Sequence, residues 1–254
     1  MVGGYQDRKG VWHGYIWERG KKPVTLDDPE GNGTFTDAFG INYNGAIRVV
    51  GYYINSSGNS VGFLYNPKTK TKFTDITGPP GATSSWASEI NDKGWVVGWY
   101  ADSSGAQQGF LLRGKSYTTL EVPGATATNA LGINNKGNID LGWVNSKNAW
   151  EGALTKDFGK TYKILNVPGA GPDGTEASYI NNEGDLTFWW FDSAGQSHGA
   201  LCPKCDPNDP KYYKFGYPKA VATYPNGIND RNTFVGWYQT ESGGPYSGFK
   251  ATFK

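Results

Sequence analysis

The chain has 254 residues with 24 basic and 23 acidic side chains, so its formal net charge of +1 gives no electrostatic case for a nucleic-acid or anionic-membrane partner. It contains 37 glycines, 10 tryptophans and 16 tyrosines beside one methionine, which favours short strands and tight turns over helices. No apolar run reaches the roughly 20 residues of a membrane span. No signal peptide is evident at Met1, which predicts a cytoplasmic protein or one whose leader has been removed.

A four-strand repeat organises the chain. The dipeptide Ile-Asn ends a predicted strand five times, beginning at Ile41, Ile90, Ile133, Ile180 and Ile228. A tight turn and a glycine-aromatic strand follow each copy, as in VVGWY at 96–100. After a polar turn comes a strand such as GFL at 109–111, and a fourth strand then leads into a Pro-Gly kink, as at 123–124. We name these strands A, B, C and D.

The links between the strands predict how they are arranged. Links A to B, B to C and C to D are short and rich in Asn, Asp, Gly and Ser, which predicts antiparallel hairpins. The D to A link is longer and should cross to the next sheet. Four-stranded units of this length, about 40 to 50 residues, predict the blades of a β-propeller. We therefore expect an all-β fold, with residues 1–254 forming one β-propeller domain.

The number of blades follows from a count of the strands. There are six B and six C strands but five A and five D strands, because the chain starts at B and stops after C. This predicts six repeats, and six blades of which the closing one is incomplete. In a five-bladed alternative, the first D strand, around residues 24–27, pairs with the last A, B and C strands. The first hairpin is then left over.

The repeat resembles a known family. Units such as YTTLEVPGATATNALGIN at 117–134 and VVGWYADSSGAQQGFL at 96–111 resemble the extracellular HAF-type repeat proteins of bacteria, and the resemblance covers essentially the whole chain. It implies a secreted β-propeller and assigns no biochemistry. The fifth repeat departs most from the pattern, with Phe188 at the position of Gly98 and a CPKC loop in place of a short turn.

The aromatic residue of strand B is predicted to be structural. Side chains alternate between the faces of a strand, and the position of Trp99 recurs as Tyr52, Trp143, Trp189 and Trp237, with Gly4 as the exception. We expect these rings to fill the wedge between adjacent sheets; the alternative is a sugar-binding stripe, which needs exposed rings. The Asn of each Ile-Asn pair is predicted to form the turn that follows it.

Candidate binding residues lie where the repeat varies. Near the start of strand A, one position changes its chemistry in every copy: Asp37, Trp86, Asn129, Glu176 and Tyr224. Inner strands line the axis of a propeller, so these side chains are expected at the mouth of the channel. Carboxylate, amide and aromatic groups together suit a neutral, polyhydroxylated ligand. Ordinary polar surface is the alternative.

Three functions remain open at this level. The first is a secreted binding module for a neutral carbohydrate or a protein partner. The second is a glycoside hydrolase or lyase in which Asp37 and Glu176 form the carboxylate pair. The third is an extracellular repeat protein that self-associates through its unpaired strand edges.

No cofactor is expected. The sequence lacks a phosphate loop, a catalytic-triad spacing or a metal-ligand cluster, and acidic turns such as ADSSG at 101–105 carry one carboxylate each, so no obligatory metal is predicted. Cys202 and Cys205 are predicted to be a small local disulfide or two free thiols, because a zinc site needs about four ligands.

Overall fold

The computed structural model describes residues 1–31 and 33–253, and the chain divides between Thr119 and Leu120 into two compact units. In the described part, 22 strands are accompanied by a single 3-10 turn at Pro29–Gly31. The predicted all-β composition is thus confirmed.

Unit 1, residues 1–119, contains three antiparallel sheets whose strands are neighbours in chain order. The first sheet consists of β1 (Val2–Gln6), β2 (Trp12–Ile16) and β3 (Val24–Leu26). The second consists of β4 (Thr36–Tyr43), β5 (Ile47–Ile54), β6 (Ser60–Tyr65) and β7 (Phe73–Ile76). The third consists of β8 (Ala82–Ile90), β9 (Val96–Asp102), β10 (Gln107–Arg113) and β11 (Ser116–Leu120), whose last residue is the first of unit 2.

Unit 2, residues 120–254, repeats this arrangement. The fourth four-strand set is β12 (Ala127–Ile133), β13 (Ile139–Val144), β14 (Trp150–Thr155) and β15 (Lys163–Ile164). The fifth is β16 (Thr175–Ile180), β17 (Leu186–Phe191), β18 (Ser197–Cys202) and β19 (Tyr213–Phe215). The last has three strands, β20 (Ala222–Ile228), β21 (Thr233–Gln239) and β22 (Ser247–Thr252).

The strand pairing decides between the two blade counts. β3 pairs with β2 through Gly14 and Leu26, so the first D strand completes the sheet of the first hairpin. The five-bladed alternative, in which this hairpin is left over, is therefore wrong. Six strand sets result, and the first lacks strand A while the last lacks strand D, as the strand count predicted.

In four of the sheets, one large ring lies in the core between strands B and C. Strand B glycine faces strand C phenylalanine in the pairs Gly51–Phe63, Gly98–Phe110 and Gly236–Phe249. In the fifth sheet the sizes are exchanged, because Phe188 of strand B faces Ala200. A Cβ on Gly98 would lie 2.0 Å from the Trp86 carbonyl oxygen and 2.8 Å from the Phe110 ring. The glycine of VGWY thus permits the close approach of strand A and of this ring.

The Asn of the Ile-Asn pair forms the predicted turn and also links neighbouring repeats. In the fourth sheet, the Asn134 Oδ1 accepts hydrogen bonds from the backbone N–H groups of Lys136 and Asn138, both at 3.0 Å. Its Nδ2 donates to the backbone carbonyl of Asn181 in the next repeat at 3.1 Å. Asn181 in turn donates to Asn229 at 3.1 Å. The link to the next repeat is a role that turn chemistry alone did not predict.

We expect Asn134→Asp to lower the free energy of unfolding by about 1–3 kcal/mol, because the carboxylate keeps the turn acceptor but leaves the buried Asn181 carbonyl facing an anion. Asn134 is 3% exposed, whereas Asn229 in the equivalent turn is exposed, so Asn229→Asp is the matched control. Urea denaturation of both variants measures the effect. Equal losses in the two variants would show that only the turn matters.

A disulfide joins Cys202 and Cys205. Both residues are buried, at 0% and 7% exposure, and pack in the core cluster of the fifth sheet. The structure therefore selects the local disulfide from the two forms expected for the CPKC segment.

Candidate functional site

The strand C glycines identify the equivalent position of strand B in every repeat. Each of these glycines is paired with one residue of strand B. The pairs, in chain order, are Gly14–Gly4, Gly62–Tyr52, Gly109–Trp99, Gly152–Gly142, Gly199–Trp189 and Gly248–Trp237. We call the strand B position of each pair the wedge position. It holds an aromatic ring in four repeats and glycine in two.

The assignment of Trp143 to the wedge position was wrong. The segment from Gly137 to Gly142 is one residue longer than the equivalent segment from Gly94 to Gly98. Strand β13 is therefore shifted by one position relative to the repeat motif. A shift of one residue turns a side chain to the other face of its strand. Gly142 consequently occupies the wedge position, and Trp143 lies on the opposite face.

A cluster of partly exposed rings surrounds the wedge position in unit 1. We call it the first aromatic cluster; its members are Trp12, Phe35, Phe39, Tyr52, Trp86 and Trp99. All six are intermediate in exposure. Trp86 stacks on Trp99 with ring centroids 5.7 Å apart and planes 10° apart, and lies 6.3 Å from Tyr52. The sequence predicted that such rings fill the wedge, but the structure leaves part of each ring at the surface.

Asp37 contributes a carboxyl group next to this cluster. Its Oδ1 lies beside Gly4, where a Cβ would be 2.5 Å away, and beside the Trp12 indole nitrogen. Burial raises the pKa of Asp37 to about 7, and this rise is partly offset by the Trp12 N–H and a backbone N–H. The glycine at the wedge position thus makes room for an acid that is partly protonated near neutral pH.

A second aromatic cluster lies in unit 2 and consists of Trp189, Phe191, Tyr224, Trp237 and Tyr246. Tyr224 stacks on Trp237 with centroids 3.9 Å apart and makes an edge contact with Trp189 at 4.9 Å. Tyr246 is 63% exposed, so this cluster also reaches solvent.

Glu176 is buried rather than presented at the surface. It is 2% exposed, and its carboxyl group fills the space over Gly142, where a Cβ would lie 2.3 Å from Oε1. Burial, followed by repulsion from Asp140, raises its pKa well above the usual range. Asp140 is fully buried, and burial raises its pKa to about 7. The Asp140 acid, which sequence reasoning missed, is therefore the electrostatic neighbour of Glu176 in unit 2.

The structure brings the predicted residues together within each unit. Asp37 and Trp86 both lie next to Tyr52, since burial and then the Asp37 charge raise the Tyr52 pKa, and Trp86 contacts its ring. Glu176 pairs across the strands with Trp189, whose ring Tyr224 contacts. Asn129 pairs with Gly142, and its Oδ1 is buried without a hydrogen-bond partner among the described residues.

Two ring residues of the first cluster were missed although the sequence carries a signal for them. Phe35 and Phe39 flank Asp37 at a spacing of two residues, and residues two apart in a strand share a face. The segment FTDAF therefore already predicts a carboxyl group between two rings.

No protein-family model matches the sequence, and no curated protein matches it. Solved structures do match. TolB from Acinetobacter baumannii superposes with a TM-score of 0.64 at 12% identity, over 94% of this chain and 60% of its own. The lectin of the fungus Aleuria aurantia, a six-bladed β-propeller, superposes with a TM-score of 0.59 at 11% identity, over 97% of this chain and 85% of the lectin. The protein is a β-propeller.

A third similar propeller structure is the Trypanosoma rangeli sialidase in complex with sialic acid, with a TM-score of 0.54 and 10% identity. The alignment covers 94% of this chain and 49% of the sialidase, so the propeller spans about half of that enzyme. At these identities the likeness establishes the fold alone. Among the described residues, no helix has the length and apolar character needed to cross a membrane.

Proposed function

We propose that the propeller binds a neutral carbohydrate, and that the first aromatic cluster with Asp37 forms the sugar site. The observation that carries this proposal is the contiguous set of six rings, all partly exposed, around one carboxyl group. Scattered surface rings are common, whereas a contiguous apolar patch on a soluble protein marks a binding surface. Flat rings cover the C–H faces of a sugar, and a few polar groups fix its orientation.

Asp37 suits a neutral ligand better than a charged one. With a pKa of about 7, its carboxyl group both donates and accepts hydrogen bonds near neutral pH. The Tyr52 hydroxyl, whose pKa burial and Asp37 raise, stays protonated and adds a second donor. Hydroxyl groups of a sugar match both, because each is a donor and an acceptor.

Other findings support parts of this proposal. The similar structures include a lectin described with fucose recognition and a sialidase in complex with sialic acid. Membership of the HAF-type repeat proteins and secretion are further parts of the proposal, supported by the repeat units and by the disulfide, since disulfides persist in oxidising compartments. That residues 1–254 act as one domain is also proposed.

A glycan-array screen tests the sugar site directly. We expect specific binding by the unmodified protein and a loss of roughly tenfold or more in affinity for Trp86→Ala, because the stacked Trp86–Trp99 platform is lost. Trp95→Ala is the matched control: Trp95 is also partly exposed and lies at the other end of the same hairpin, where the Lys93 Nζ lies 4.7 Å from the centroid of its ring.

Each outcome of the screen has a definite meaning. Binding that survives Trp86→Ala but not Trp95→Ala would place the site elsewhere. A folded protein that binds no glycan would contradict the proposal and favour the protein-partner alternative, to be pursued by pull-down.

A glycan-active enzyme is a second candidate function, because of Asp37. The general acid in glycoside hydrolysis is a carboxyl group whose pKa is raised by an apolar site, and the pKa of Asp37 is raised by burial. Glu176, the proposed partner acid, is buried at 2% exposure, which does not favour contact with a substrate. Release of reducing sugar by the unmodified protein, abolished in Asp37→Asn, would support the enzyme.

Self-association is a third candidate, favoured by the last sheet. β22 is the edge strand of that sheet, and four of its six residues are exposed. An exposed edge strand is a template for pairing with another chain. Sedimentation of the protein as a monomer at all concentrations would rule this out.

A further inference from the structure

Unit 2 contains a pocket that the carbohydrate proposal does not use. It has a volume of about 310 Å³ and lies on the fourth repeat, where Val122, Trp143, Glu151, Lys160, Tyr162 and Ile164 are among its lining residues. This is the repeat in which strand β13 is shifted by one residue, so the pocket coincides with a local break in the repeat.

The shift of strand β13 supplies one wall of the pocket. Trp143 leaves the wedge position and reaches the opposite face, where its side chain is 8% exposed and lines the pocket. Val122, at 2% exposure, and the outer residue Ile164, at 45%, complete an apolar surface. We call the two nearly buried apolar lining residues, Trp143 and Val122, the base of the pocket.

One negative and one positive side chain, Glu151 and Lys160, also line the pocket, and we call them the rim residues. Glu151 is held in place from two directions, because the Asn145 Nδ2 donates to its Oε1 at 2.6 Å and the Asn166 Nδ2 donates to its Oε2 at 3.3 Å. Each carboxylate oxygen still has capacity to accept a further hydrogen bond.

The loop that carries Lys160 is also fixed. Asp157 accepts hydrogen bonds from the backbone N–H and the hydroxyl of Thr161 at 2.9 Å and 2.7 Å, and these contacts lower its pKa to about 2. Thr155 accepts from the backbone N–H of Gly159 at 2.9 Å. The Glu151 carboxylate and the backbone of the Lys160 loop are thus held before a ligand binds, which lowers the cost of ordering them.

We propose that this pocket binds a small zwitterion, a free α-amino acid with an apolar side chain. The ammonium group of the ligand pairs with Glu151, its carboxylate pairs with Lys160, and its side chain contacts Trp143 and Val122. A ligand with only one charge would leave the other rim residue without compensation, and a ligand without an apolar body would leave the base of the pocket wet. This proposal is independent of the sugar site in unit 1.

An NMR titration of the ¹⁵N-labelled full chain tests the proposal. The probe is the indole N–H resonance of Trp143, identified with Trp143→Phe or, if that variant does not fold, by backbone-linked assignment. L-leucine and L-phenylalanine, added to about 10 mM, are expected to shift this resonance in a saturable way. N-acetyl-leucine amide, which has the same side chain but no charges, is expected to leave it unmoved.

Charge-removing variants locate the two ends of the ligand. Glu151→Gln and Lys160→Gln are each expected to weaken binding of L-leucine roughly tenfold, since a charge-assisted hydrogen bond is lost. Glu183→Gln and Lys136→Gln, at exposed hairpin tips of unit 2, remove the same charges elsewhere and are expected to bind like the unmodified protein. Thermal melts confirm that all four variants fold.

Three results would overturn the proposal. The first is a Trp143 resonance that neither amino acid moves at about 10 mM. The second is an equal shift with N-acetyl-leucine amide or glucose, which would assign the pocket to neutral ligands. The third is unchanged leucine affinity in both rim variants.

Discussion

Phe188→Gly is expected to lower the free energy of unfolding by roughly 4 kcal/mol, and adding Ala200→Phe is expected to restore most of that loss. Phe188 is fully buried in strand β17 and faces Ala200 of β18. Its ring makes an edge contact with Tyr212 at 5.3 Å. Removing the ring leaves a large cavity, and the second substitution refills it from the neighbouring strand.

The other sheets show why the refilled core should pack. In the third sheet the ring comes from strand C as Phe110, faces Gly98, and contacts Tyr117 edge-on at 5.5 Å. The edge contact with a tyrosine ring is thus made by a strand B phenylalanine in the fifth repeat and by a strand C phenylalanine in the third. The double variant gives the fifth sheet the arrangement of the third.

Chemical denaturation of the two single variants and the double variant measures this coupling. Ala200→Phe alone is expected to be destabilising, because the site already holds a ring. Additive losses, with the double variant less stable than either single one, would contradict the exchange of sizes between strands B and C.

The second large effect is a loss of stability as the pH rises from about 4 to about 8. Burial raises the pKa of Asp37 and of Asp140 to about 7, and that of Asp28 to about 6. A carboxyl group whose pKa is higher in the folded state binds more protons there than in the unfolded state. Its favourable contribution to the free energy of unfolding is complete below the pKa of the unfolded state, near 4. That contribution is lost as the pH rises through the pKa of the folded state.

Asp140→Asn tests this pH dependence at one residue. The amide has nearly the same shape and carries no charge, so the variant is expected to be more stable than the unmodified protein at pH 8, by roughly 2–4 kcal/mol. The gain should shrink towards pH 4. Thermal or urea unfolding at several pH values measures both effects.

Asp102→Asn is the control for the pH experiment. Asp102 ends strand β9 before an exposed turn, and hydrogen bonds from Ser104 in that turn lower the Asp102 pKa, so it titrates below this range. The control is expected to leave the slope between pH 5 and pH 8 unchanged. A stability that rises over this interval, or an Asp140→Asn variant with the same slope as the unmodified protein, would refute the assignment.

The repeat made the fold predictable. Four-strand units with short A–B, B–C and C–D links specify antiparallel sheets, and the structure has them, including the missing strands at both ends. The position of Asp37, Trp86, Asn129, Glu176 and Tyr224 near the start of strand A was also predictable, because it follows from the alignment of the repeats.

The environment of those residues was not predictable, because it depends on the residue that the neighbouring repeat places at the wedge position. Tyr52 meets the ring of Trp86, whereas Gly142 leaves a space that the buried carboxyl group of Glu176 fills. One extra residue before Gly142 turned Trp143 to the other face, and an alignment by motif alone assigned it to the wrong position. Asp140 is likewise visible as a buried acid only once the register of β13 is known.

The most direct test of the sugar site is an NMR titration that follows the tryptophan indole N–H resonances of the intact protein with the best ligand from the glycan array. We predict saturable shifts for Trp12, Trp86 and Trp99, which belong to the first aromatic cluster, and no shift for Trp95. A glycan that binds while these three resonances stay unmoved, or that shifts Trp95 instead, would contradict the account.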